Sequence, residues 1–220
     1  MRTISVKYPT KTQVLDIADK KFVLEVIRSL DEAIDLLCNE LSEEEQKDPF
    51  AEDLCPYFGV LWPSGQALAK FIAARPELVK DKRVIELGCG LALPSLVATH
   101  LKGDVLATDF HPDVELYVQR NARHSELSVK YQRLNWREPN SLGTFDVILG
   151  SDILYESKHP DEVAIGLLRY SRKGSTIILS DPGRAYLQKF IESMNKLGHQ
   201  EEIFFVDVEG EEQFVILYRI

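Results

Sequence analysis

The amino-acid sequence predicts an α/β domain of the doubly wound type, built on a mostly parallel sheet, and three observations predict it. From Lys82 onward, short β-branched runs alternate with stretches of helical periodicity, the pattern of βαβ units. Three of the helical stretches open on proline, which suits a first helical turn. The last two apolar runs are separated only by an acidic turn, so they pair antiparallel as a hairpin.

In chain order, the strands are expected at "RVIEL" (83–87), "DVLATD" (104–109), "VKYQRLN" (129–135), "FDVILGSDI" (145–153) and "STIILSD" (175–181). "QEEIFFVDV" and "QFVILYRI" form the two arms of the hairpin about "EGEE" (209–212). Helices are expected between them at 94–101, 112–124, 160–170 and 186–197. Before Lys82, "KFVLEVIRS" reads as a strand and "LDEAIDLLCNELSEEEQ" as an acidic amphipathic helix. "DPFAEDLCPYFG" reads as a loop leading to "WPSGQALAKFIAARPEL", a helix that starts near Ser64. Residues 1–55 are therefore expected to form a flank or lid on one main domain, 56–220.

The net charge of -9 excludes a nucleic-acid partner, which needs clustered Lys and Arg against phosphates. No apolar stretch is long enough for a membrane span, and the N-terminus lacks the apolar centre of a signal peptide, so a cytoplasmic location without a membrane partner is expected. Cys38, Cys55 and Cys89 lie far apart without CxxC spacing, which supports neither a metal site nor a disulfide framework.

"VIELGCGLAL" (84–93) places Gly88 and Gly90 between a strand and a helix, where ligands bind in open α/β sheets. A single Gly-x-Gly equally serves a tight turn. Asp109 ends the next strand, where a carboxylate can take both hydroxyls of a ribose, although a strand-end Asp also serves as a cap or turn residue. A dinucleotide satisfies both features. Against it, the third fingerprint position holds Leu93 rather than glycine, and Glu86, expected at the mouth, opposes a phosphate and suits an ammonium or sulfonium ligand. S-adenosylmethionine has a ribose, an adenine, a positive amine and a positive sulfur, and no phosphate. The alternative for Glu86 is a strand-end ion pair.

"VIELGCG", Asp109 and the final hairpin resemble the Rossmann-like, seven-stranded class I S-adenosylmethionine-dependent methyltransferases, whose sheet order is 3-2-1-4-5-7-6. "YFGVLWPSGQAL", "LNW", "GSDILYE" and "SDPGR" resemble one branch, the non-SET protein lysine methyltransferases of the methyltransferase-like group. That branch includes the enzyme acting on the β subunit of electron transfer flavoprotein, and some bacterial relatives carry nicotinamide N-methylase-like names. The resemblance covers about 56–220.

It implies that Trp62 and Trp136 border the cofactor, Trp136 near the adenine, where a flat aromatic face gives apolar contact and stacking. Both tryptophans also suit a core. Asn135 is implied at the adenine amino group, Ser151 at the cofactor through backbone or hydroxyl, and Cys89 through main chain. Asp152 and Tyr155 fall on the acceptor side. A carboxylate there holds the amine and orients its lone pair, or takes its proton, and an aromatic ring stabilises cationic nitrogen. Alternatively Asp152 caps a turn and Tyr155 packs in the core. Asp181 to Arg184 is a turn with a hint of a substrate-side loop. His111 and His159 read as exposed helix-flanking residues without a catalytic task, and "SEEEQKD" as a solvated helix end that can face a basic substrate.

The expected activity is S-adenosylmethionine-dependent N-methylation, with a protein lysine as acceptor. The competing readings are a small-molecule amine as acceptor, a dinucleotide-dependent oxidoreductase, and a binding module without catalysis. The oligomeric state is not legible in the sequence.

Overall fold

The computed structural model describes residues 8–42, 54–138 and 142–220. The chain begins with a hairpin, β1 (Thr10–Ile17) and β2 (Lys20–Ile27), that forms its own two-stranded sheet. Helix α1 (Leu30–Glu40) follows, its first turn capped by the Ser29 side chain on the Glu32 amide. A short 3₁₀ turn (Pro56–Gly59) leads into α2 (Pro63–Ala73). The main run is then β3 (Arg83–Leu87), α3 (Leu93–His100), β4 (Asp104–Asp109), α4 (Val114–His124), β5 (Lys130–Arg133) and β6 (Val147–Ser151). It continues with α5 (His159–Arg169), β7 (Thr176–Asp181), α6 (Ala185–Lys196), β8 (Glu201–Val208) and β9 (Glu211–Arg219).

The seven strands from β3 onward make one sheet in the order β5-β4-β3-β6-β7-β9-β8. Counted from β3 as the first strand, this is the expected 3-2-1-4-5-7-6. β3 to β7 run parallel, and β9 lies antiparallel between β7 and β8.

Both sheet faces are covered, which is why the central strands read as unbroken apolar runs. Alternate residues divide between two cores. Val84, Leu149, Ile178 and Leu217 face α2, α3 and α4 with Leu68, Phe71, Leu96 and Val118. Ile85, Ile148, Ile177 and Ile216 face α5 and α6 with Leu167, Phe190 and Met194. The first core also takes in Phe22, Leu24, Val26 and Ile27 of β2.

Strand β1 is an element that the sequence reading lacks. "TKTQVLDI" is largely polar and mostly exposed, and its turn contains no glycine, Ala18 taking the positive φ of 55° instead. The hairpin is pinned to α4: the Val23 amide donates to Ser125 Oγ (3.1 Å) and the Glu25 amide to Asn121 Oδ1 (2.7 Å). Helix α2 starts at Pro63 and ends at Ala73, short of the expected Leu78, and a 3₁₀ turn follows at Pro76–Leu78. The cause is local, because the residue before a proline disfavours helix, and Arg75 accordingly has φ -138°. Positions 43–53, which hold most of the acidic run and the start of the expected loop, lie outside the described residues. Among the described residues no helix is long and apolar enough to cross a membrane, and no cluster of metal-ligating side chains occurs.

Candidate active site

A cleft of about 380 Å³ opens at the carboxyl ends of β3, β4 and β6, within the roughly 300–1,000 Å³ of small-molecule sites. The 3₁₀ turn and the start of α2 border it from above. Ten of the sequence-predicted residues meet in its lining: Trp62, Gly88, Cys89, Gly90, Asp109, Asn135, Trp136, Ser151, Asp152 and Tyr155. Glu86 does not.

The floor is the loop after β3. Gly88 (φ 65°) and Gly90 (φ 49°) take left-handed backbone angles. A Cβ at Gly88 would stand 2.7 Å from Ile153 Cγ2, and one at Gly90 would stand 3.0 Å from the Phe58 carbonyl oxygen. Glycine is therefore needed twice, for angle and for space. Cys89 between them donates its amide to the Thr108 carbonyl (2.9 Å), and burial pushes its thiol well above the usual range.

Asp109 closes β4 and ties the loop down. Its Oδ2 accepts from the Gly90 amide and its Oδ1 from the His111 amide, each at 2.9 Å. Burial raises its pKa, while these amides pull it back. Each oxygen keeps acceptor capacity beyond its single bond. This fits a diol.

Glu86 requires a correction. It is fully buried on β3, and its Oε2 accepts from the Ser95 amide (2.9 Å) and hydroxyl (2.5 Å) in the first turn of α3. It is neither at the mouth nor in a strand-end ion pair, because strand parity turns it toward α3. Burial pushes it up to about 8, against the pull of Ser95. The consequence concerns phosphate: the helix terminus that would bind one already holds an internal carboxyl group.

Asn135 spends its side chain locally, its Oδ1 accepting from the Arg137 amide (3.0 Å) and its Nδ2 donating to Glu138 Oε1 (3.0 Å). Trp136 packs toward Gly88 and Gly166, and its buried Nε1 has no acceptor among the described residues. Trp62 donates its Nε1 to the Tyr57 carbonyl (3.0 Å).

Beyond β6, Asp152 takes φ 58°, its amide donating to the Ser180 carbonyl (2.9 Å). Its Oδ1 accepts from Arg184 Nη1. Tyr155 stays 46% exposed at the rim, edge-on to His159 with centroids 4.5 Å apart. Tyr57, 42% exposed, also stands in the lining.

Both histidines correct the expectation of exposure. His159 is fully buried between Tyr155 and Trp136, 5.9 Å from the Trp136 ring. His111 is 6% exposed and lines the cleft, its Nδ1 accepting from the Asp113 amide (3.1 Å) and its Nε2 donating to the Leu54 carbonyl (3.1 Å). Burial holds its pKa down to about 4. Its ring stacks on Phe58 at 4.4 Å, so it fastens the roof to the end of β4. Phe58 and Arg137 also line the cleft without standing among the expected site residues, and Arg184 lines it from the 181–184 turn, where a substrate-side loop is hinted at. The hint lay in "DFHPD", where His111 stands two positions past Asp109. Both arginines are engaged by carboxylates, Arg137 by Glu162 (2.8 Å) and Arg184 by Asp152.

Known proteins with this pattern are informative. The chain is 33% identical over 150 residues to a calmodulin-lysine N-methyltransferase of Arabidopsis thaliana, covering 62% of this chain and 49% of that protein. It is 29% identical over 175 residues to an electron transfer flavoprotein beta subunit lysine methyltransferase of Danio rerio, covering 74% and 63%. The chain thus spans about half to under two thirds of the length of these relatives. Solved structures share the fold: a magnesium protoporphyrin IX methyltransferase from Synechocystis PCC 6803 superposes with TM-score 0.59 at 13% identity, over 80% of this chain and 86% of that one. A ribosomal protein L11 methylase from Lactobacillus delbrueckii subsp. bulgaricus gives 0.58 at 19%, over 70% and 79%. The sequence model of a family described as lysine methyltransferase matches residues 52–197, and the chain belongs to that family.

Proposed function

We propose that this chain transfers a methyl group from S-adenosylmethionine to a lysine side chain of a protein. The observation that carries the reading is the placement of Asp109 and Asp152 in one cleft, at the ends of β4 and β6 on either side of the glycine loop, in a chain of the lysine methyltransferase family. With Glu86 seated on α3 and both lining arginines engaged, the cleft offers a pyrophosphate no open cation among the described residues, which disfavours a dinucleotide.

In this reading Asp109 takes the ribose hydroxyls, the Trp136 face flanks the adenine, and Trp62, Gly88, Cys89, Gly90, Asn135 and Ser151 complete the cofactor wall. Bound there, the cofactor supplies an electrophilic methyl group on a sulfonium. Asp152 holds the acceptor nitrogen by a hydrogen bond, orients its lone pair and takes its proton or passes it to water. Tyr155 offers its ring to the cationic nitrogen. The exposure of Tyr155 and Tyr57 leaves the acceptor end open to the surface, which favours a protein over an enclosed small amine. We read the chain as cytoplasmic, with an acidic surface suited to a basic substrate and no nucleic-acid or membrane partner, and residues 1–55 as a flank or lid on the main domain.

The test is incubation with radiolabelled S-adenosylmethionine and an extract of cells lacking the protein, wild type beside Asp152→Ala. A labelled protein band that vanishes with Asp152→Ala is the expected result. Label confined to low-mass material shifts the acceptor to a small amine, and absence of both label and cofactor binding overturns the proposal.

A further inference from the structure

Arg184 is held between two carboxylates at the acceptor end of the cleft. Its Nη1 donates to Asp152 Oδ1 and lies 3.7 Å from Asp181 Oδ2. Asp152 is thus already occupied by an internal cation, on the group that the proposed reaction needs for the acceptor nitrogen. The two seats differ. Asp181 is fully buried, and its Oδ2 has no hydrogen-bond partner among the described residues, an expensive condition for a carboxylate oxygen. Its Oδ1, by contrast, accepts from the Gly183 amide (2.8 Å) and the Arg184 amide (2.9 Å), which fixes the loop backbone. The Arg184 side chain is 35% exposed on that fixed base. A displacement of roughly 1 Å brings its guanidinium from 3.7 Å into hydrogen-bond range of Asp181 Oδ2.

We propose that Arg184 is a movable internal stand-in for the acceptor: it sits on Asp152 while no amine is present and passes to Asp181 Oδ2 when the acceptor nitrogen arrives. The inference rests on the assignment of Asp152 to the acceptor. A guanidinium does not itself receive the methyl group readily, because its lone pairs are delocalised and it stays protonated. It therefore shields Asp152 without becoming a substrate. The exchange also lowers the cost of baring Asp152, since the cation that leaves satisfies an oxygen that was unsatisfied.

The experiment measures binding of n-butylamine, a lysine side-chain mimic, to the protein saturated with S-adenosylhomocysteine. It compares wild type, Arg184→Gln, Asp181→Asn and the double variant by nuclear magnetic resonance titration. Arg184→Gln is expected to bind the amine about 3- to 10-fold tighter, because no internal cation is displaced. Asp181→Asn is expected to bind about 3- to 10-fold weaker, because the second seat has lost its charge. In the double variant the Asp181 effect disappears. In wild type the Arg184 Nε–Hε resonance shifts as amine is added, which needs no variant. Equal Asp181 effects with and without Arg184, weaker binding by Arg184→Gln, an unmoved Arg184 resonance, or no amine binding in any form overturns the proposal. Failure of wild type to bind S-adenosylhomocysteine at all instead overturns the functional reading beneath it.

Discussion

The carboxylate of Asp109 holds the amide of Gly90 at 2.9 Å, joining the end of β4 to the glycine loop of β3 across the mouth of the sheet. One side chain therefore shapes the loop and lines the cleft, where the proposed reading gives it the ribose. Each hydrogen bond to a charged group contributes about 1.5–3 kcal/mol. Asp109→Ala removes the ligand contacts and the loop tie together, so cofactor affinity is expected to fall by at least about 100-fold. Both tryptophans of the chain line the cleft, so tryptophan fluorescence titrated with S-adenosylhomocysteine reads this site alone. A change under about threefold would remove Asp109 from the ligand contacts.

Gly88→Ala tests the floor of the cleft. The new methyl meets Ile153 Cγ2 at 2.7 Å and Trp136 Cζ3 at 3.4 Å, at a φ of 65°. Gly143 has a similar φ of 75° with nothing within 4 Å among the described residues, so Gly143→Ala bears the backbone strain alone, about 1–2 kcal/mol. Gly88→Ala is expected to cost about 1–3 kcal/mol more, the usual range for overpacking, and it alone should weaken cofactor binding. Urea unfolding and the same fluorescence titration decide this, and equal costs for the two variants would show that crowding is relieved.

How far the sequence disclosed this architecture depends on the kind of signal. Strands β3, β4 and β7 match their apolar runs at nearly every residue, because two-sided burial forces continuous hydrophobicity. β1 escaped because it is a mostly exposed arm whose pairing with β2 rests on backbone hydrogen bonds rather than apolar alternation. Glu86 shows a different limit. Its parity with Val84 was legible, but the face covered by α3, and Ser95 upon it, follow only from the crossover. Arg184 stands 32 residues from Asp152, and no local pattern announces their meeting. His111 departs from its expected exposure because a helix-flanking position says nothing of the roof, which comes from residues near Leu54 and Phe58.

One buried amide ties the N-terminal hairpin to two other parts of the fold. Asn121 accepts from the Glu25 amide (2.7 Å) and donates to the Leu91 carbonyl (3.2 Å), joining β2, α4 and the loop after β3. Asn121→Ala leaves a donor and an acceptor unpaired, at a cost of about 2–4 kcal/mol. The hairpin should then be cut by a low dose of protease well before the rest of the chain, as mass spectrometry of the first fragments would show. Unchanged protection of residues 8–27 would mean that Ser125 and the Arg120–Glu25 ion pair (2.9 Å) hold the hairpin without it.

Two buried groups near the cleft should drive stability in opposite directions with pH. Glu86 is raised from 4.5 to about 8 by burial, so across that window the folded chain keeps a proton that the unfolded chain has lost. Stability falls there as pH rises, by at most about 1.4 kcal/mol per unit. His111 is lowered from 6.5 to about 4 by burial, so across its window the unfolded chain carries a proton that the folded chain refuses. Stability there rises with pH at the same limiting slope. The two oppositions cancel between 4.5 and 6.5, and above 6.5 only Glu86 contributes. Relative to wild type, Glu86→Gln should therefore gain stability steadily as pH rises through the 4.5 to 8 window. His111→Gln should gain only as pH falls below 6.5. Urea midpoints at about pH 5, 6, 7 and 8 for the three proteins separate the slopes. A Glu86→Gln difference that stays flat across the series would mean that Glu86 is ionised in the fold, with Ser95 stabilising the anion more than burial opposes it.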